Sequence, residues 1–317
     1  MRCAALTGLL LGFVGTFVLF APEKGFAAGT PDLKNGRTMF YAGGCASCHA
    51  APASTRCDDP KSKDKLTLAG GRCLKTPFGT FYVPNISPDK ETGIGGWSAA
   101  QFIKAMRQGV SPQGDHYYPA FPYTSYQHML ESDLVDLKAF LDTLPAVKSN
   151  IRGHDLSLPF RMRQTLAVWK WLFLNGKVFA PDPGKSDKWN RGAYLVQGPG
   201  HCGECHSPRN LLGGIIEDKR YSGAPDPEGK GFVPNITQHK NGIAKWSEGD
   251  IVTALETGLT PSFDTFGGTM VKVQENMAEL SAQDRAAIAA YIKSLPPVKS
   301  SAKALQKSAA AKKADEQ

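Results

Sequence analysis

Apolar residues recur along this chain at the spacing of short amphipathic helices, and regular alternation of apolar and polar residues is almost absent. Two stripes with this spacing each predict a helix that ends at a Leu-Pro pair. The stripes are Leu134, Leu137 and Leu141 in one segment, and Ile288, Tyr291 and Ile292 in the other. Shorter helices are predicted over residues 36–41 and 192–196. The pattern therefore predicts an all-α protein.

The first residues of the chain follow a different pattern. Arg2 precedes an apolar run from Ala4 to Ala21, and a cluster of small residues follows it. This arrangement is typical of a secretory signal peptide, which we place at residues 1–28. The alternative is an uncleaved membrane anchor, since a run of about 18 residues is at the lower limit for crossing a bilayer. In both cases we expect an exported protein in the periplasm, either free or attached to the cytoplasmic membrane.

The rest of the chain contains an internal repeat. A Pro-Asn-Ile element at residues 84–86 recurs at 234–236, and a Trp-Ser pair recurs before a helical pattern that ends near a glycine. The repeat predicts two tandem domains with an apolar segment between them and a disordered basic tail after them. The boundaries are 29–150 for domain 1, 151–185 for the interdomain segment, 186–298 for domain 2 and 299–317 for the tail.

Composition and charge narrow the class of protein. A hydrophobic content of 41% fits a soluble globular protein, and a mean hydropathy of −0.28 excludes a polytopic membrane protein. The 37 Lys and Arg exceed the 29 Asp and Glu, which gives a formal net charge of +8. This charge suits an acidic partner or an anionic membrane face, although it also serves solubility. We expect no nucleic-acid partner.

The spacing of the cysteines indicates the chemistry. Four of the 7 Cys lie in two Cys-x-x-Cys-His motifs, the signature of covalent c-type haem attachment. Two thiols on one helical turn can add to the two vinyl groups of a porphyrin, while the adjacent histidine binds the iron. A zinc ribbon or a redox dithiol would leave the histidine after each pair unexplained. The residues predicted to bind two haem c groups are Cys45, Cys48, His49, Cys202, Cys205 and His206.

Cys3 falls inside the predicted signal peptide, so Cys57 and Cys73 remain, in a charged insert that has no counterpart after the second motif. In an oxidising compartment we expect them to form a disulfide with each other. Closing this loop would stabilise the fold by roughly 3 kcal/mol on the chain-entropy model. The alternative is that one of them is a haem ligand or a redox thiol.

A low-spin haem also needs an axial ligand opposite the histidine, usually a methionine from a loop before the last helix. In the second domain a Gly-Gly-Thr-Met run predicts Met270 as this ligand, with Met277 as its competitor. In the first domain the repeat places Phe121, which cannot bind iron, at the matching position. We predict Met129, just before the last helix, as the ligand there. His116 and the absence of a protein ligand are the alternatives.

These elements resemble a known family when they are taken together with three further runs. The runs are Tyr-Pro-Ala-Phe-Pro-Tyr at 118–123, Trp-Asn-Arg-Gly-Ala-Tyr-Leu at 189–195 and Ser-Pro-Arg-Asn at 207–210. The chain is similar, over about residues 30–298, to the multihaem cytochrome c subunits of bacterial periplasmic membrane-associated dehydrogenases of the alcohol and gluconate type. Met270 matches the Gly-Gly-x-Met of that family, whereas Phe121 stands where the family has methionine.

The resemblance implies two class I cytochrome c domains and a subunit that carries electrons. Such a subunit takes electrons from a partner dehydrogenase and passes them to the respiratory chain through another cytochrome, an oxidase or a quinone. On this hypothesis the protein is not itself an enzyme, and no catalytic residue is predicted. The competing hypothesis is a catalytic dihaem oxidoreductase, thiosulfate dehydrogenase-like or peroxidase-like, that uses an unusually ligated haem.

Overall fold

The structure is a computed structural model that describes residues 29–54, 56–59, 61–62, 64–226 and 231–300. The predicted signal peptide and residues 301–317 of the predicted tail lie outside the described residues. From Pro31 onward the described chain forms one compact unit. We refer to residues 31–150 as the first half and to residues 186–300 as the second half. Within the described ranges, no helix has both the length and the apolar character needed to cross a bilayer.

Each half contains the same succession of five helices. In the first half these are α1 (Leu33–Ala42), α2 (Cys45–His49), α3 (Ala99–Gln108), α4 (Tyr123–Tyr126) and α5 (Glu131–Asp142). The segment between the halves contains α6 (Thr165–Phe173). The second half contains α7 (Asp187–Gln197), α8 (Cys202–His206), α9 (Glu248–Thr257), α10 (Met270–Met277) and α11 (Ala282–Ser294), with a 3-10 turn at Glu217–Lys219.

Two small antiparallel sheets accompany the helices, so the fold is mostly helical rather than purely α. The first sheet has the order β1 (Cys73–Thr76), β2 (Gly79–Tyr82) and β3 (Asp155–Leu156), and the second pairs β4 (Ala224–Pro225) with β5 (Phe232–Val233). In the register, Cys73 lies opposite Tyr82, and Ala224 lies opposite Val233. Strands of two to four residues are too short for apolar alternation to reveal them in the sequence.

Local sequence signals fix the ends of α3 and α9 in the same way. The serine of each repeated Trp-Ser pair, Ser98 or Ser247, accepts a hydrogen bond from the backbone of the third helical residue, whose side chain bonds back to the serine N–H. Both helices end at a glycine in the left-handed conformation, Gly109 with φ 61° and Gly258 with φ 80°. The repeated residues therefore produce a repeated helix.

A glycine sets the crossing of the first and last helices in each half. A Cβ on Gly36 of α1 would overlap the carbonyl oxygen of Asp136 in α5. A Cβ on Gly192 of α7 would overlap the carbonyl oxygen of Ala287 in α11. The helix backbones approach this closely only because glycine has no side chain. The two crossings also align the halves, since Asp136 corresponds to Ala287.

One apolar core extends through both halves. It contains Phe40 of α1 and Leu134 of α5 together with Leu195 of α7 and Ile288 of α11. Burial of such side chains is the main stabilising contribution to a fold of this size. The two halves are therefore parts of one hydrophobic unit.

Helix α6 lies across the seam between the halves. Its Lys170 is buried and donates a hydrogen bond from Nζ to the carbonyl oxygen of Gly109 in the first half, at 2.6 Å. Its Trp169 donates from Nε1 to the carbonyl oxygen of Leu212 in the second half, at 2.8 Å. On the opposite face of α6, Trp171 and Val168 are 81% and 63% exposed. This helix thus buries a lysine and presents apolar side chains outward.

Candidate haem sites

Each Cys-x-x-Cys-His motif forms a single helical turn, α2 or α8. The two cysteines of a motif are three residues apart, so they lie on one face of that turn. A left-handed residue precedes each turn: Gly44 with φ 57° before α2, and His201 with φ 37° before α8. The same backbone bend therefore introduces both motifs, although only the first uses a glycine for it.

The histidine of each motif is held by the proline of the repeated Pro-Asn-Ile element. Nδ1 of His49 lies 2.8 Å from the carbonyl oxygen of Pro84, and Nδ1 of His206 lies 2.7 Å from that of Pro234. A carbonyl oxygen can only accept a hydrogen bond, so each Nδ1 carries the proton. The lone pair of Nε2 is then available to bind a metal ion. Burial lowers the pKa of His49 to about 4 and also lowers the pKa of His206, so both rings are neutral at pH 7.

An asparagine fixes each of these proline carbonyls in place. Nδ2 of Asn85 donates to the carbonyl oxygen of Val147 at 2.7 Å, and Nδ2 of Asn235 donates to that of Val298 at 2.8 Å. Both acceptors lie just after the last helix of their half. The Pro-Asn-Ile repeat is visible in the sequence, but its role appears only in the structure. Its recurrence after both motifs was the signal that it supports the histidines.

The cysteines of the motifs lie in surroundings that suit covalent attachment better than redox exchange. Burial raises the pKa of Cys45 and Cys202 to about 12 and that of Cys205 to about 11. A redox dithiol needs a lowered thiol pKa instead. Beside α2, the buried Arg72 donates from Nη1 to the carbonyl oxygen of Ser47 at 3.1 Å, and its Nε has no hydrogen-bond partner. A buried guanidinium with an unused donor fits an anionic group such as a haem propionate.

The two motif helices are each contacted by the opposite half. Asn276 of α10 donates from Nδ2 to Oγ of Ser47 in α2, at 2.9 Å. In the reciprocal contact, Ser125 and Thr124 of the first half each donate to Oε1 of Glu204 in α8, at 2.7 Å. Ser47 and Glu204 occupy the same place in the two motifs, between the second residue and the second cysteine. The seam therefore brings the two predicted haem sites together by a matched pair of contacts.

Glu204 is a buried carboxylate that this seam keeps charged. Burial acts to raise its pKa, but the charge of Arg209 and the hydrogen bonds from Ser125 and Thr124 lower the pKa below its ordinary value. Arg209 Nη2 lies 2.6 Å from Oε2 of Glu204. The sequence does not reveal this group, because Ser125 and Thr124 lie 79 and 80 positions from Glu204 in the chain.

The predicted ligand Met270 is the first residue of α10, where it is partly buried and packs against the shared core. Its competitor Met277 lies at the other end of the same helix and is buried. The structure thus places both methionines on one helix between the α9 segment and α11. The assignment of Met270 as an iron ligand stays a prediction.

The three candidate residues of the first half lie in different surroundings. Met129 is buried in the shared core, and its Cγ would lie 3.6 Å from a Cβ on Gly198 of the second half. Nδ1 of His116 lies 3.0 Å from Nζ of Lys170 on α6. Phe121 packs against the shared core among tyrosine rings. The assignment of Met129 to the iron also stays a prediction.

Cys57 and Cys73, which the sequence analysis pairs, form a disulfide with a Cα–Cα distance of 5.0 Å. The backbone N–H of Cys73 also donates to the carbonyl oxygen of Cys57, at 2.8 Å. The disulfide joins the charged insert to the start of β1. The disulfide constrains the unfolded chain over this loop and so acts on stability.

Comparison with known proteins bears on both halves. Residues 33–145 and residues 190–296 each match the family model described as Cytochrome c. A protein of Cereibacter sphaeroides named diheme cytochrome c-type is 48% identical over 273 residues, which cover 86% of this chain and 89% of that protein.

Two relatives carry names of dehydrogenase subunits. The fructose dehydrogenase cytochrome subunit of Gluconobacter japonicus is 34% identical over 301 residues, covering 93% of this chain and 59% of that protein. The gluconate 2-dehydrogenase cytochrome c subunit of Pantoea cypripedii is 34% identical over 304 residues, covering 92% of this chain and 65% of that protein. The chain therefore spans less than two thirds of the length of these two subunits.

Proposed function

Since the chain belongs to the cytochrome c family, with one matching segment in each half, we propose that it transfers electrons from a partner dehydrogenase to the respiratory chain. The observation that carries this proposal is the pair of motif helices, each with its histidine held by a proline carbonyl, that meet across one seam. When bound, haem c supplies an iron that cycles between Fe(II) and Fe(III).

The chain's own residues account for the binding of two haem c groups. The cysteines of α2 and α8 would form the thioether bonds, and Nε2 of His49 and of His206 would bind the irons. The bonds to Pro84 and Pro234 orient both rings and increase the basicity of Nε2. Buried apolar residues of the shared core exclude water from this region, which favours the less charged state of the centre and so tunes its potential.

The seam would hold two haem groups, one in each half, in a fixed relation. The bonds from Asn276 to Ser47 and from Ser125 to Glu204 hold α2 and α8 in a fixed relation. Rigid placement of two centres keeps their separation constant through oxidation and reduction. We infer that both haem groups belong to one path and are not two independent carriers.

The relatives support a dehydrogenase as the electron donor, because several of them are named as cytochrome subunits of dehydrogenases. For the acceptor, we propose another cytochrome, an oxidase or a quinone in the respiratory chain. We place the protein in the periplasm, free or attached to the cytoplasmic membrane, because the N-terminal sequence predicts export. The net charge of +8 suits docking to an acidic donor surface.

One observation favours the second candidate function, a catalytic dihaem oxidoreductase. Phe121 stands in the first half where Met270 stands in the second, so the two predicted iron sites differ in the residue at the predicted position of the second axial ligand. An iron without a second protein ligand can bind a substrate. The two functions differ in whether the chain turns over a small substrate by itself.

The test uses the full chain produced with its haem groups attached. As donors we would use the catalytic subunits of a gluconate 2-dehydrogenase and of a fructose dehydrogenase, each separated from its own cytochrome subunit. Addition of the sugar substrate should reduce both haem groups, as followed by visible absorption, with one of these donors. A variant with Cys202→Ser and Cys205→Ser should show reduction of one haem at most. Failure with both donors, together with turnover of thiosulfate or hydrogen peroxide by the chain alone, would establish the catalytic function instead.

A further inference from the structure

The two halves differ at one position that bears directly on the iron. We propose that the first haem has no protein ligand opposite His49, and that this face is a binding site for a small uncharged ligand beside Phe121. This inference rests on the proposed function, because it requires haem c in both halves. The supporting observation is that matching backbone hydrogen bonds align the two halves residue by residue.

The register before Phe121 is fixed by matching backbone bonds. The bridge between Val110 and His116 in the first half corresponds to the bridge between Leu259 and Thr265 in the second. Directly after these bridges, Tyr117 N–H donates to the carbonyl oxygen of Gly109 at 2.7 Å, and Phe266 N–H donates to that of Gly258 at 3.0 Å. The donors and the two capping glycines therefore correspond one to one.

From this anchor the chain runs the same length to the residue in question. Phe121 is the fourth residue after Tyr117, and Met270 is the fourth residue after Phe266. Both side chains are partly buried and pack against the shared core. Phe121 is thus the structural counterpart of Met270, and the first half carries a phenyl ring where the second half offers a sulfur.

A second pair of matching backbone hydrogen bonds, just before the last helix of each half, identifies Met129 as a packing residue. Met129 N–H donates to the carbonyl oxygen of Tyr126 at 3.0 Å, and Leu280 N–H donates to that of Met277 at 3.2 Å. Both donors directly precede the last helix of their half. Met129 and Leu280 are 1% and 5% exposed, so they fill equivalent places in the core. A leucine performs the same role in the second half, and Met129 therefore needs no ligand function to explain it.

The remaining candidate is engaged elsewhere. His116 lies in the bridge to Val110, and its Nδ1 accepts the hydrogen bond from Nζ of the buried Lys170. This contact holds the ring toward α6. In the second half its counterpart is Thr265, which is not a ligand for a haem iron.

The surroundings of Phe121 indicate which ligand the site accepts. Its ring makes edge contacts with Tyr117, Tyr123 and Tyr126, at centroid distances of 5.8, 6.4 and 5.4 Å. Aromatic walls of this kind disfavour a charged ligand, which would lose its hydration without gaining an ion partner. They leave a small neutral molecule, for which carbon monoxide is the probe.

The test compares reciprocal variants of the full chain with both haem groups attached. In the wild-type protein, electron paramagnetic resonance should show one high-spin and one low-spin ferric haem, and carbon monoxide should bind one of the two ferrous haems. Phe121→Met should abolish the high-spin signal and carbon monoxide binding, and it should add a second near-infrared sulfur-to-iron band. Met270→Phe should have the opposite effect and make both haems high-spin.

Met129→Leu is the matched control, because it installs the residue of the second half. Its spectra should equal those of the wild type. A new high-spin haem in Met129→Leu would overturn the proposal and establish Met129 as a ligand. Two low-spin haems in the wild-type protein would overturn it as well. If haem quantification finds fewer than two covalent haems, the proposed function fails with it; two haems that are both low-spin refute this inference alone.

Discussion

The two halves hold their motif histidines in the same way and differ on the other side of the predicted haem sites. His49 and His206 each donate Nδ1–H to a proline carbonyl, and an asparagine holds each of these loops. On the other side, Met270 in the second half corresponds to Phe121 in the first. The backbone is thus repeated closely, while the side chain at the predicted position of the second axial ligand differs between the halves. Function can diverge between the halves without a change in the fold.

A second difference concerns how each half closes the loop after its motif. The first half has strands β1 and β2, to which β3 of the interdomain segment pairs, and the Cys57–Cys73 disulfide. In the described residues of the second half, the two-residue strands β4 and β5 pair at the corresponding place. The loop of the first half therefore has a covalent link in addition to its backbone pairing.

The largest expected effect comes from the glycines at the helix crossings, which test whether both halves pack their first and last helices in the same way. Gly36→Ala and Gly192→Ala should each lower the free energy of unfolding by about 3 kcal/mol, or prevent folding, because the methyl group would overlap a backbone carbonyl. Urea unfolding of the haem-loaded protein measures this. Gly153→Ala is the control, since no atom lies within 4 Å of its added methyl group. A crossing variant as stable as this control would show that the two helix pairs are not tightly packed.

Removal of the disulfide tests how much the covalent link in the loop of the first half contributes to stability. The double variant Cys57→Ala and Cys73→Ala should lose about 3 kcal/mol of unfolding free energy, since its unfolded chain is less constrained. Chemical unfolding with and without a reductant measures the loss. The reductant should bring the wild-type protein to the stability of the variant and leave the variant unchanged. Equal stability of the two proteins without reductant would mean that the insert is already held by other contacts.

The paired asparagines test whether the histidine supports are equivalent. Asn85→Ala and Asn235→Ala should each lower the free energy of unfolding by about 2 kcal/mol, because each leaves the buried backbone N–H of Ser87 or Thr237 without its acceptor. Urea unfolding gives the energies, and redox titration of the two haems should show a shift in the half that carries the substitution. A shift in the other haem instead would contradict the assignment of each loop to its own histidine.

The buried Lys170 should make the stability of the fold depend on pH through its bond to Gly109 in the first half. Burial lowers the pKa of Lys170 to about 8, from 10.5 for an ordinary lysine. The unfolded chain therefore binds this proton more tightly, and the stability of the fold should rise as the pH increases from about 8 to about 10. Lys170→Met should lack this rise. The difference between wild type and variant at each pH isolates Lys170 from other titrating groups, His116 included, and a flat difference would contradict the shift.

Much of this organisation follows from the sequence because it depends on short-range chemistry. Covalent haem attachment demands two cysteines and a histidine at fixed spacing, so the motifs were visible without a structure. The serine caps and the left-handed glycines Gly109 and Gly258 mark helix ends by local bonds. The family of the chain was likewise predicted from its motifs, and the cytochrome c match in both halves confirms it.

The seam could not be predicted, because its bonds join residues that are far apart in sequence. Ser125 and Glu204 are separated by 79 positions, and Ser47 and Asn276 by 229. The short strands could not be predicted either, because they are formed by backbone pairing and not by an apolar pattern. Met129 stays a predicted ligand, and its correspondence to Leu280 depends on backbone bonds that the sequence does not show.

The contacts at Ser47 and Glu204 couple each attachment motif to the opposite half. Both residues lie between the two cysteines of a motif, and each is bonded by the opposite half. The residue between the cysteines of one half is thus held by a side chain of the other half. A substitution that loosens either half therefore reaches the attachment motif of its neighbour.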